Sequence, residues 1–564
     1  MLGGIKTVSR GYRHLNRYRQ IVTILLRHGL GDLVARLGLH KYLGTSKRII
    51  TKRDKASPPV SLTREKRLTI ILQELGVSFV KLGQIASTRP DLVPAEVCQE
   101  LEKLQDTVPP FPTEQAHEII EKEFGKPVEK IFAEFDDPPV ASASISQVHR
   151  AVLPDGRVVA VKVQRPGIHR TVEVDLEIMF HLAELMEKHF QGLDSLDPTG
   201  VVEEFSRAIK REMDFTIEAS NIERFARNFE SDQSVYVPDV YRELTTDKVL
   251  TMEYVEGIKV TDIEALRQAD IDRDLIARRG INLILKQIFE HGFFHADPHP
   301  GNIVVLKDNV IGLLDYGMTG TLTGRNREYL GDLIMGIVGR DARQMSQAIL
   351  EVSQQQVKTD VETLEVDISD LVERYLYCPL KDIHIGSLLT QLVQLLVRHK
   401  LKLPPVFYML FKALIIAEGN GRRLSPDFEI IESMKPYVER FMKKRISLGK
   451  LQKDFYTAGL NWEVLLRDLP GDTRQLIKLL KQGKIHIEFE HKGLEPMLRT
   501  HDRISNHIAY GIVLSSLIIG SSLIVLSGIP PKWQGIPIIG IMGFVAAGIM
   551  GFWLLVSILK QGKF

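Results

Sequence analysis

Cysteine is scarce in this chain of 564 residues, because only Cys98 and Cys378 are present. They lie far apart and in no metal-ligand spacing, which excludes a disulfide framework and a zinc site and fits a reducing compartment. The sequence also lacks internal repeats and long low-complexity tracts. The formal net charge of +2 says little about partners, and no nucleic-acid partner is expected. The length leaves room for more than one domain.

Acidic residues are nearly absent from residues 1–55, where thirteen lysines and arginines are accompanied only by Asp32 and Asp54. Apolar residues such as Ile21 and Ile24 recur there at helical spacing. Three interpretations stay open: an amphipathic basic segment on an anionic membrane surface, a solvated basic face, or an organelle transit peptide. Pro58-Pro59 marks a linker after this segment.

The stretch from His291 to Gly317 carries the most specific signal. It contains His295, Asp297 and Asn302 in the pattern HxDxxxxN, followed by Asp315 in Asp-Tyr-Gly. Two apolar runs flank the turn at residues 308–309 and predict short strands that hold Asn302 beside Asp315. A kinase-type site needs this arrangement, with one aspartate near the reacting phosphate and an asparagine and a second aspartate binding Mg²⁺. ATP and Mg²⁺ are therefore the expected cofactors.

The glycines of a kinase nucleotide loop are missing, because their three positions hold Ala141, Ala143 and Ser146. A β-hairpin with its turn at Gly156 is predicted directly after them. Small residues still let the backbone approach phosphates, although with less freedom than glycine. Lys162 on the second strand falls where the phosphate-binding lysine of a kinase belongs. The alternative for Lys162 is an exposed strand lysine.

A helix is predicted from Asp197 to about Phe229, and Glu218 on it is the candidate to orient Lys162. On a continuous helix Asp214 and Glu218 would share a face, whereas Glu212 would point elsewhere. Solvated acids remain the alternative for all three carboxylates.

The apolar strand that runs into Gly257 is similar to the segment that joins two kinase lobes, with backbone groups of Glu253 and Val255 available to adenine. After Gly317 a mostly helical region is predicted to about Lys481, including a helix start at Pro404-Pro405, as support for the larger lobe. Strict alternation over Lys484–His491 predicts one strand.

Charged residues are absent from Ile508 to about Gly528 and from Ile536 to about Leu559. Each stretch is long enough to span a bilayer core, so a membrane hairpin is predicted, with a buried soluble hairpin as the alternative. Basic residues flank both ends and only Lys532 lies in the loop, which places the ends and the kinase-like domain on the cytoplasmic side. Small residues four apart allow close packing, within the hairpin or between the protomers of a homodimer.

Together these features resemble the UbiB family of atypical, protein-kinase-like ATPases tied to ubiquinone and related prenylquinone biosynthesis. The similarity covers roughly Ser61 to the C-terminus. The motifs that carry it are Lys81-Leu-Gly83-Gln84 (KxGQ), the alanine-rich loop Ala141-Ser-Ala143-Ser144, Lys162 with Gln164-Arg165-Pro166-Gly167, Glu212-x-Asp214 (ExD), Glu218-Ala219, His295-Ala-Asp297-Pro-His-Pro-Gly-Asn302 and Asp315-Tyr316-Gly317.

The resemblance implies an α+β, two-lobed protein-kinase-like fold with an N-terminal helical extension and a C-terminal transmembrane helical hairpin. The expected divisions are a basic segment at 1–60, the KxGQ extension at 61–135, the smaller lobe at 136–256, the larger lobe at 257–490, a linker at 491–507 and two transmembrane helices at 508–559.

The resemblance also implies roles for individual residues. Lys81 would bridge to Glu212 and Asp214 with Gln84 beside it, as a regulatory group lying where a peptide substrate would otherwise bind. Lys162 would pair with Glu218, Asn302 and Asp315 would bind Mg²⁺, and Asp297 would lie next to the γ-phosphate. Ala141, Ala143 and Ser144 would line the nucleotide together with Glu253 and Val255. The loop opens Ala-Ser rather than with a run of alanines, which leaves the preference between ATP and ADP open.

The function expected from the resemblance is a membrane-anchored ATPase at a bacterial inner membrane, with its kinase-like domain in the cytoplasm. Its expected partners are anionic lipids, prenylquinone precursors and quinone biosynthetic enzymes, and phosphorylation of other proteins is not expected. Two alternatives stay open: a small-molecule or lipid kinase, since HxDxxxxN also occurs in such enzymes, and a nucleotide-binding scaffold for a quinone biosynthetic complex.

Overall fold

The computed structural model describes residues 2–41, 63–87, 89, 92–93, 95–104, 108–189, 197–339, 341–355, 360–376, 384–426, 428, 433–434, 436–437, 439–440 and 494–561. The chain divides into two compact units, Met1–Leu451 and Gln452–Phe564. The linker at Pro58-Pro59, Cys378 and the strand predicted over Lys484–His491 lie outside the described residues.

The smaller lobe is built on a five-stranded antiparallel sheet in the order β1-β3-β4-β6, with β2 paired to β3. The predicted hairpin is present as β3 and β4, and Gly156 takes the positive φ of 88° that its turn requires. One face of the sheet packs on the helices that precede it. The strands are β1 Glu134–Phe135, β2 Ala141–Ser142, β3 Ser146–Val152, β4 Val158–Gln164 and β6 Val249–Glu253.

Helices of the N-terminal extension pack together with the long helices that follow the hairpin, and form a second core. Gly83 allows this packing, because a Cβ on it would lie 2.4 Å from Leu104 Cδ1 and 2.9 Å from Leu72 Cδ1. The helices of this region are α1 Leu2–Arg27, α2 Gly31–Arg36, α3 Arg64–Leu75, α4 Val77–Ser87, α5 Ala95–Leu101, α6 Thr113–Phe124, α7 Val128–Ile131, α8 Ile168–His189, α9 Pro198–Glu212 and α10 Phe215–Phe229.

The apolar side of α1 is buried within the protein. Tyr18, Ile21 and Ile24 belong to the core shared with α3 and α8. Arg17 Nε donates to the buried carboxylate of Asp175 at 2.6 Å, which fixes α1 to α8. These apolar side chains therefore cannot contact a membrane surface in this structure. Membrane binding by the basic residues of this segment stays a prediction.

The prediction of a single helix from Asp197 to about Phe229 is wrong, because the helix is interrupted between α9 and α10. Asp214 adopts an extended conformation and its carboxylate accepts a hydrogen bond from the Thr216 N–H at 3.0 Å. A short acidic side chain that caps the next helix in this way competes with helix continuation. The break turns Glu212, at the end of α9, toward the extension.

The larger lobe contains two small sheets near the site, in the orders β5-β10-β9-β7 and β11-β8. Behind them, helices form the largest core, and α17 begins with proline in its first turn as predicted. The elements are β5 Val235–Tyr236, β7 Ile258–Lys259, α11 Ile263–Gln268, α12 Arg273–Leu285, β8 Phe293–His295, β9 Ile303–Val305, β10 Ile311–Leu313, β11 Thr319–Thr321, α13 Gly324–Gly339, α14 Ala342–Val352, β12 Gln354–Gln355, α15 Val361–Leu376, α16 Ile385–Arg398, β13 Leu401–Lys402 and α17 Pro405–Leu424.

Arg89, which follows α4, contacts both lobes. Its guanidinium pairs with Glu204 on α9 and lies 5.6 Å from the ring centroid of Tyr408 on α17. The extension is therefore attached to the smaller and the larger lobe through one side chain.

The described part of the second unit is a helical hairpin. It consists of α18 Leu494–Ser527, a turn with β14 Lys532–Trp533 and β15 Ile536–Pro537, and α19 Ile538–Gln561. By length and composition, Ser505–Ser527 and Ile538–Leu555 can each cross a membrane. A Cβ on Gly543 would lie 2.0 Å from Ser521 Oγ, so the two helices approach closely at small residues. Within the linker expected at 491–507, residues 494–507 are helical and form the first part of α18.

Candidate active site

A buried lysine joins the two lobes at the cleft between them. Lys162 Nζ on β4 donates to both carboxylate oxygens of Glu218 on α10, at 2.9 and 2.8 Å. The same Nζ lies 3.6 Å from Asp315 Oδ2. Burial alone would lower the pKa of Lys162. The negative charges of Asp315 and Glu218 outweigh this effect and raise the pKa to well above its usual range. Lys162 is therefore a permanent cation at neutral pH.

Asp315 presents an ionised carboxylate to the cleft. Its side chain is 44% exposed, and its Oδ1 accepts the Gly317 N–H at 2.8 Å. Desolvation raises the pKa of Asp315, but the charge of Lys162 and the Gly317 hydrogen bond outweigh it and lower the pKa to about 2. Glu218 and Asn221 on α10 hold the next residue, because Glu218 Oε1 accepts the Tyr316 N–H and Asn221 Nδ2 donates to the Tyr316 carbonyl.

His295 connects the HxDxxxxN loop to Asp315. Its Nδ1 accepts the Asp297 N–H at 3.1 Å, and its Nε2 lies 2.6 Å from the Asp315 carbonyl oxygen. Only a neutral imidazole that carries its proton on Nε2 satisfies both contacts. Burial lowers the pKa of His295, which favours that neutral form. A backbone hydrogen bond links the segments that carry the two metal-binding candidates. The Leu314 N–H, directly before Asp315, donates to the Asn302 carbonyl at 3.0 Å.

The predicted strands on either side of the Asp308-Asn309 turn are present as β9 and β10. They pair antiparallel, with Ile303 opposite Leu313, and this register places Asn302 next to the chain that leads into Asp315. The side chains of Asn302 and Asp315 are an all-oxygen donor set, which suits Mg²⁺ when substrate phosphates complete the coordination. Among the described residues no group of three or more histidines, cysteines and acids forms a metal cluster of its own.

Asp297 has a partner that we did not predict from the sequence. Lys412 Nζ on α17 lies 3.0 Å from Asp297 Oδ1, with the two side chains 28% and 31% exposed. We expected this helical region only to support the larger lobe. A signal was present in the sequence, because Lys412 is an isolated charge among apolar residues of α17.

The alanine- and serine-containing loop is held by Arg165. Its Nε donates to the Ala143 carbonyl at 2.9 Å and its Nη2 to Ser142 Oγ at 2.8 Å, while the Ala143 N–H donates to the Ser146 carbonyl. Ala141 lies at the start of β2, opposite Val148. The Ser144 hydroxyl is buried and makes no hydrogen bond within the described residues. The structure thus fixes this loop by side-chain hydrogen bonds, a role for Arg165 that its motif alone did not indicate.

The KxGQ and ExD motifs meet at the same cleft. Lys81 Nζ lies 2.5 Å from Glu212 Oε1. The charges of Lys81 and Glu212 act on the pKa values of Asp315 and Lys162 respectively, which places the pair within the same electrostatic cluster. Asp214 is occupied as the cap of α10. Gln84 Nε2 donates to the Leu104 carbonyl at 3.1 Å.

The segment that joins the lobes follows β6. Glu253 ends that strand, and its carboxylate accepts the Tyr236 hydroxyl at 2.6 Å. Val255 lies near Gly312 of β10, where a Cβ on the glycine would be 3.5 Å from Val255 Cγ1. The two residues thus lie at the end of β6 and just after it, and their contact with adenine stays a prediction.

Three family models match the chain. The ABC1 atypical kinase-like domain matches residues 103–349, the UbiB helical domain matches residues 368–429, and the ABC1/UbiB kinase-like C-terminal domain matches residues 492–560. Lys412 lies within the residues that match the UbiB helical domain.

Curated relatives align over most of the chain. The probable protein kinase UbiB of Marinobacter nauticus is 39% identical over 72% of this chain and 75% of its own. The protein of the same name from Pseudomonas putida is 34% identical over 91% and 94%. An uncharacterized protein in the hydrogenase 1 5′ region of Clostridium pasteurianum is 34% identical over 97% and 99%. A solved structure, the Rv3197–erythromycin complex from Mycobacterium tuberculosis, is 26% identical over 63% of this chain and 93% of that chain, with a TM-score of 0.44.

Proposed function

Because the chain belongs to the UbiB family of kinase-like proteins, we propose that it is a membrane-anchored, Mg²⁺-dependent ATPase that supports ubiquinone or related prenylquinone biosynthesis. The observation that carries the proposal is the Lys162–Glu218–Asp315 cluster. A fixed cation lies beside an ionised, half-exposed carboxylate in a cleft between two lobes. Such a site binds phosphates and a divalent cation at the same time.

Each residue has a proposed task in phosphoryl transfer. Lys162, oriented by Glu218, binds phosphate oxygens of ATP. Asn302 and Asp315 hold Mg²⁺, which when bound neutralises charge on those oxygens. Asp297 lies beside the terminal phosphate, and His295 keeps its backbone in register with Asp315. The task of the protein is therefore to position groups and to supply charge, as this reaction requires.

Water is the proposed phosphate acceptor. The Lys81–Glu212 pair lies within the electrostatic cluster of the cleft, in the region that the resemblance assigns to a peptide substrate. A buried or half-buried ion pair that must break before a protein substrate can enter disfavours protein phosphorylation. Lys81, Gln84, Glu212 and Asp214 are accordingly proposed as a regulatory group.

The membrane hairpin supports a lipid-related task. Prenylquinone precursors are strongly apolar, so a protein that handles them has to act at the bilayer. Two helices that can cross a membrane supply such an anchor. We therefore propose ATP-dependent extraction or presentation of lipid precursors to quinone biosynthetic enzymes, at a bacterial inner membrane with the kinase-like unit in the cytoplasm.

Phosphate release from MgATP by the detergent-solubilised full chain tests the enzymatic part, with and without vesicles that contain anionic lipid. We expect turnover that rises with lipid and falls about 100-fold or more in Asp315→Asn, because that variant loses a metal-binding charge. Asp308→Asn is the matched control, since it makes the same change on the exposed β9–β10 turn.

Two outcomes would replace the proposal. Transfer of labelled phosphate to a lipid or small molecule, rather than release, would establish a kinase of that class. ATP binding without turnover under every lipid condition would favour a scaffold. In cells, deletion of the chromosomal copy should lower prenylquinone, and the Asp308→Asn chain, but not the Asp315→Asn chain, should restore it.

A further inference from the structure

Helix α17 contacts the HxDxxxxN loop, residues 295–302, at two points. Lys412 Nζ lies 3.0 Å from Asp297 Oδ1, and Asn420 Nδ2 donates to the Pro298 carbonyl at 3.0 Å. Two contacts spaced along one helix fix both its distance from the loop and its rotation. The fold therefore places Lys412 on the side of α17 that faces this loop.

The apolar surroundings of Lys412 make its charge unfavourable unless the charge has a partner. Its neighbours in sequence, Phe411 and Ala413, are buried in the core of the larger lobe. Lys412 is the only charged residue of α17 before Glu418. A lysine on an otherwise apolar stretch loses hydration, so a carboxylate partner has to offset this loss.

The HxDxxxxN loop itself provides no permanent cation. Between His295 and Asn302 the sequence contains no lysine or arginine. Lys162 is already bound by both oxygens of Glu218 and lies close to Asp315. The carboxylate of Asp297 would therefore repel a nearby terminal phosphate unless another cation balanced its charge.

We propose that Lys412 is a positioning residue of the active site, which neutralises Asp297 and so allows the terminal phosphate of ATP to lie beside it. The inference rests on the proposed function in one respect, namely that the nucleotide binds with this phosphate next to Asp297. It gives the helical region after the kinase-like domain a direct part in nucleotide recognition. ADP, which lacks that phosphate, gains little from Lys412.

The test compares the affinities of the full chain in detergent for MgATP and MgADP by calorimetry. In Lys412→Met we expect the affinity for ATP to fall about tenfold while that for ADP changes little, as for an unpaired charge near a phosphate in a partly exposed site. Lys412→Arg should restore the preference. Arg423→Met removes an exposed cation from the same helix and should leave it unchanged.

A double variant separates charge from packing. Asp297→Asn combined with Lys412→Met should bind ATP more tightly than Lys412→Met alone, because the repelling carboxylate is gone. Equal loss of ATP and ADP affinity together with a lower Tm and no recovery in the double variant would overturn the inference in favour of a packing role. An unchanged ratio of ATP to ADP affinity in Lys412→Met would also overturn it. Binding reports on Lys412 even in a protein without turnover, so failure of the proposed ATPase activity is a distinguishable result.

Discussion

At the scale of single residues, a chain of hydrogen bonds joins β3 to Phe111 before the sheet and to Asp136 after β1. The Phe111 N–H donates to Gln147 Oε1 at 3.1 Å, and Gln147 Nε2 lies 2.8 Å from His149 Nε2. His149 Nδ1 in turn lies 2.9 Å from the Asp136 carbonyl oxygen. Only a neutral His149 that donates from Nδ1 completes this chain of hydrogen bonds. Protonation of its Nε2 would set two donors against each other.

This chain predicts a loss of stability in mild acid. Burial lowers the pKa of His149, so the folded protein binds a proton there less readily than the unfolded chain does. The stabilisation is complete above the unfolded pKa of about 6.5 and is lost as the pH falls through the lower folded pKa. The Tm of the wild-type chain should therefore drop more steeply between pH 7.5 and pH 5 than that of His149→Gln.

A surface histidine provides the control. His189→Gln, at the exposed end of α8, should leave the steep slope in place. Equal slopes for the wild-type chain and His149→Gln would show that His149 does not contribute to the pH dependence.

At the scale of elements, the extension depends on close contact between its helices. Gly83 of the KxGQ motif belongs to this contact, because any side chain on it would meet Leu72 and Leu104. Gln84 adds a hydrogen bond from α4 to the Leu104 carbonyl. Two residues of the motif thus help to position Lys81 opposite Glu212, which is a structural reason for the sequence of that helix.

Gly83→Ala should destabilise the chain by about 1–3 kcal/mol, because a methyl group cannot enter a packed core without moving Leu72 or Leu104. Denaturant unfolding followed by far-ultraviolet circular dichroism would measure this loss in the free energy of unfolding. Gly419→Ala is the matched control, since nothing lies within 4 Å of its Cβ position and it is helical. That variant should gain about 0.5–1 kcal/mol from helix propensity. Equal effects would argue against close packing at Gly83.

The limits of sequence reasoning also appear at this scale. The β3–β4 hairpin and the strands around Asp308 could be predicted, because their turns and apolar runs are local features. The break at Asp214 could not, since α9 and α10 each have a helical pattern and only the cap distinguishes them from one helix. Lys412 reaches Asp297 from far along the chain, and no local pattern states which loop a helix will contact.

At the scale of the whole molecule, the chain combines a kinase-like unit with a separate hairpin. On the hairpin, large apolar side chains such as Leu526, Phe552 and Trp553 are exposed, while Ser521 and Ala547 are buried. In water this distribution would be unfavourable, whereas in a bilayer it is the usual one. The apolar side of α1 has the opposite character, because it is covered by protein.

These distributions predict which segment anchors the protein. A chain that lacks residues 494–564 should move from the membrane pellet to the soluble fraction and still bind MgATP, because Lys162, Glu218 and Asp315 all lie in the first unit. The full chain with Gly548→Ala, a position with open space around it, should stay in the pellet. A truncated chain that remained in the pellet would instead assign anchoring to the basic N-terminal segment.

Arg89 has a thermodynamic consequence for this molecule, because it contacts Glu204 on one lobe and Tyr408 on the other. If the cleft opens by separating the lobes, at least one of these contacts has to break. Release of the extension and opening of the cleft are then linked equilibria, so a ligand that favours one also favours the other. A lipid that displaced the extension would thereby change nucleotide affinity, and nucleotide would change lipid affinity equally.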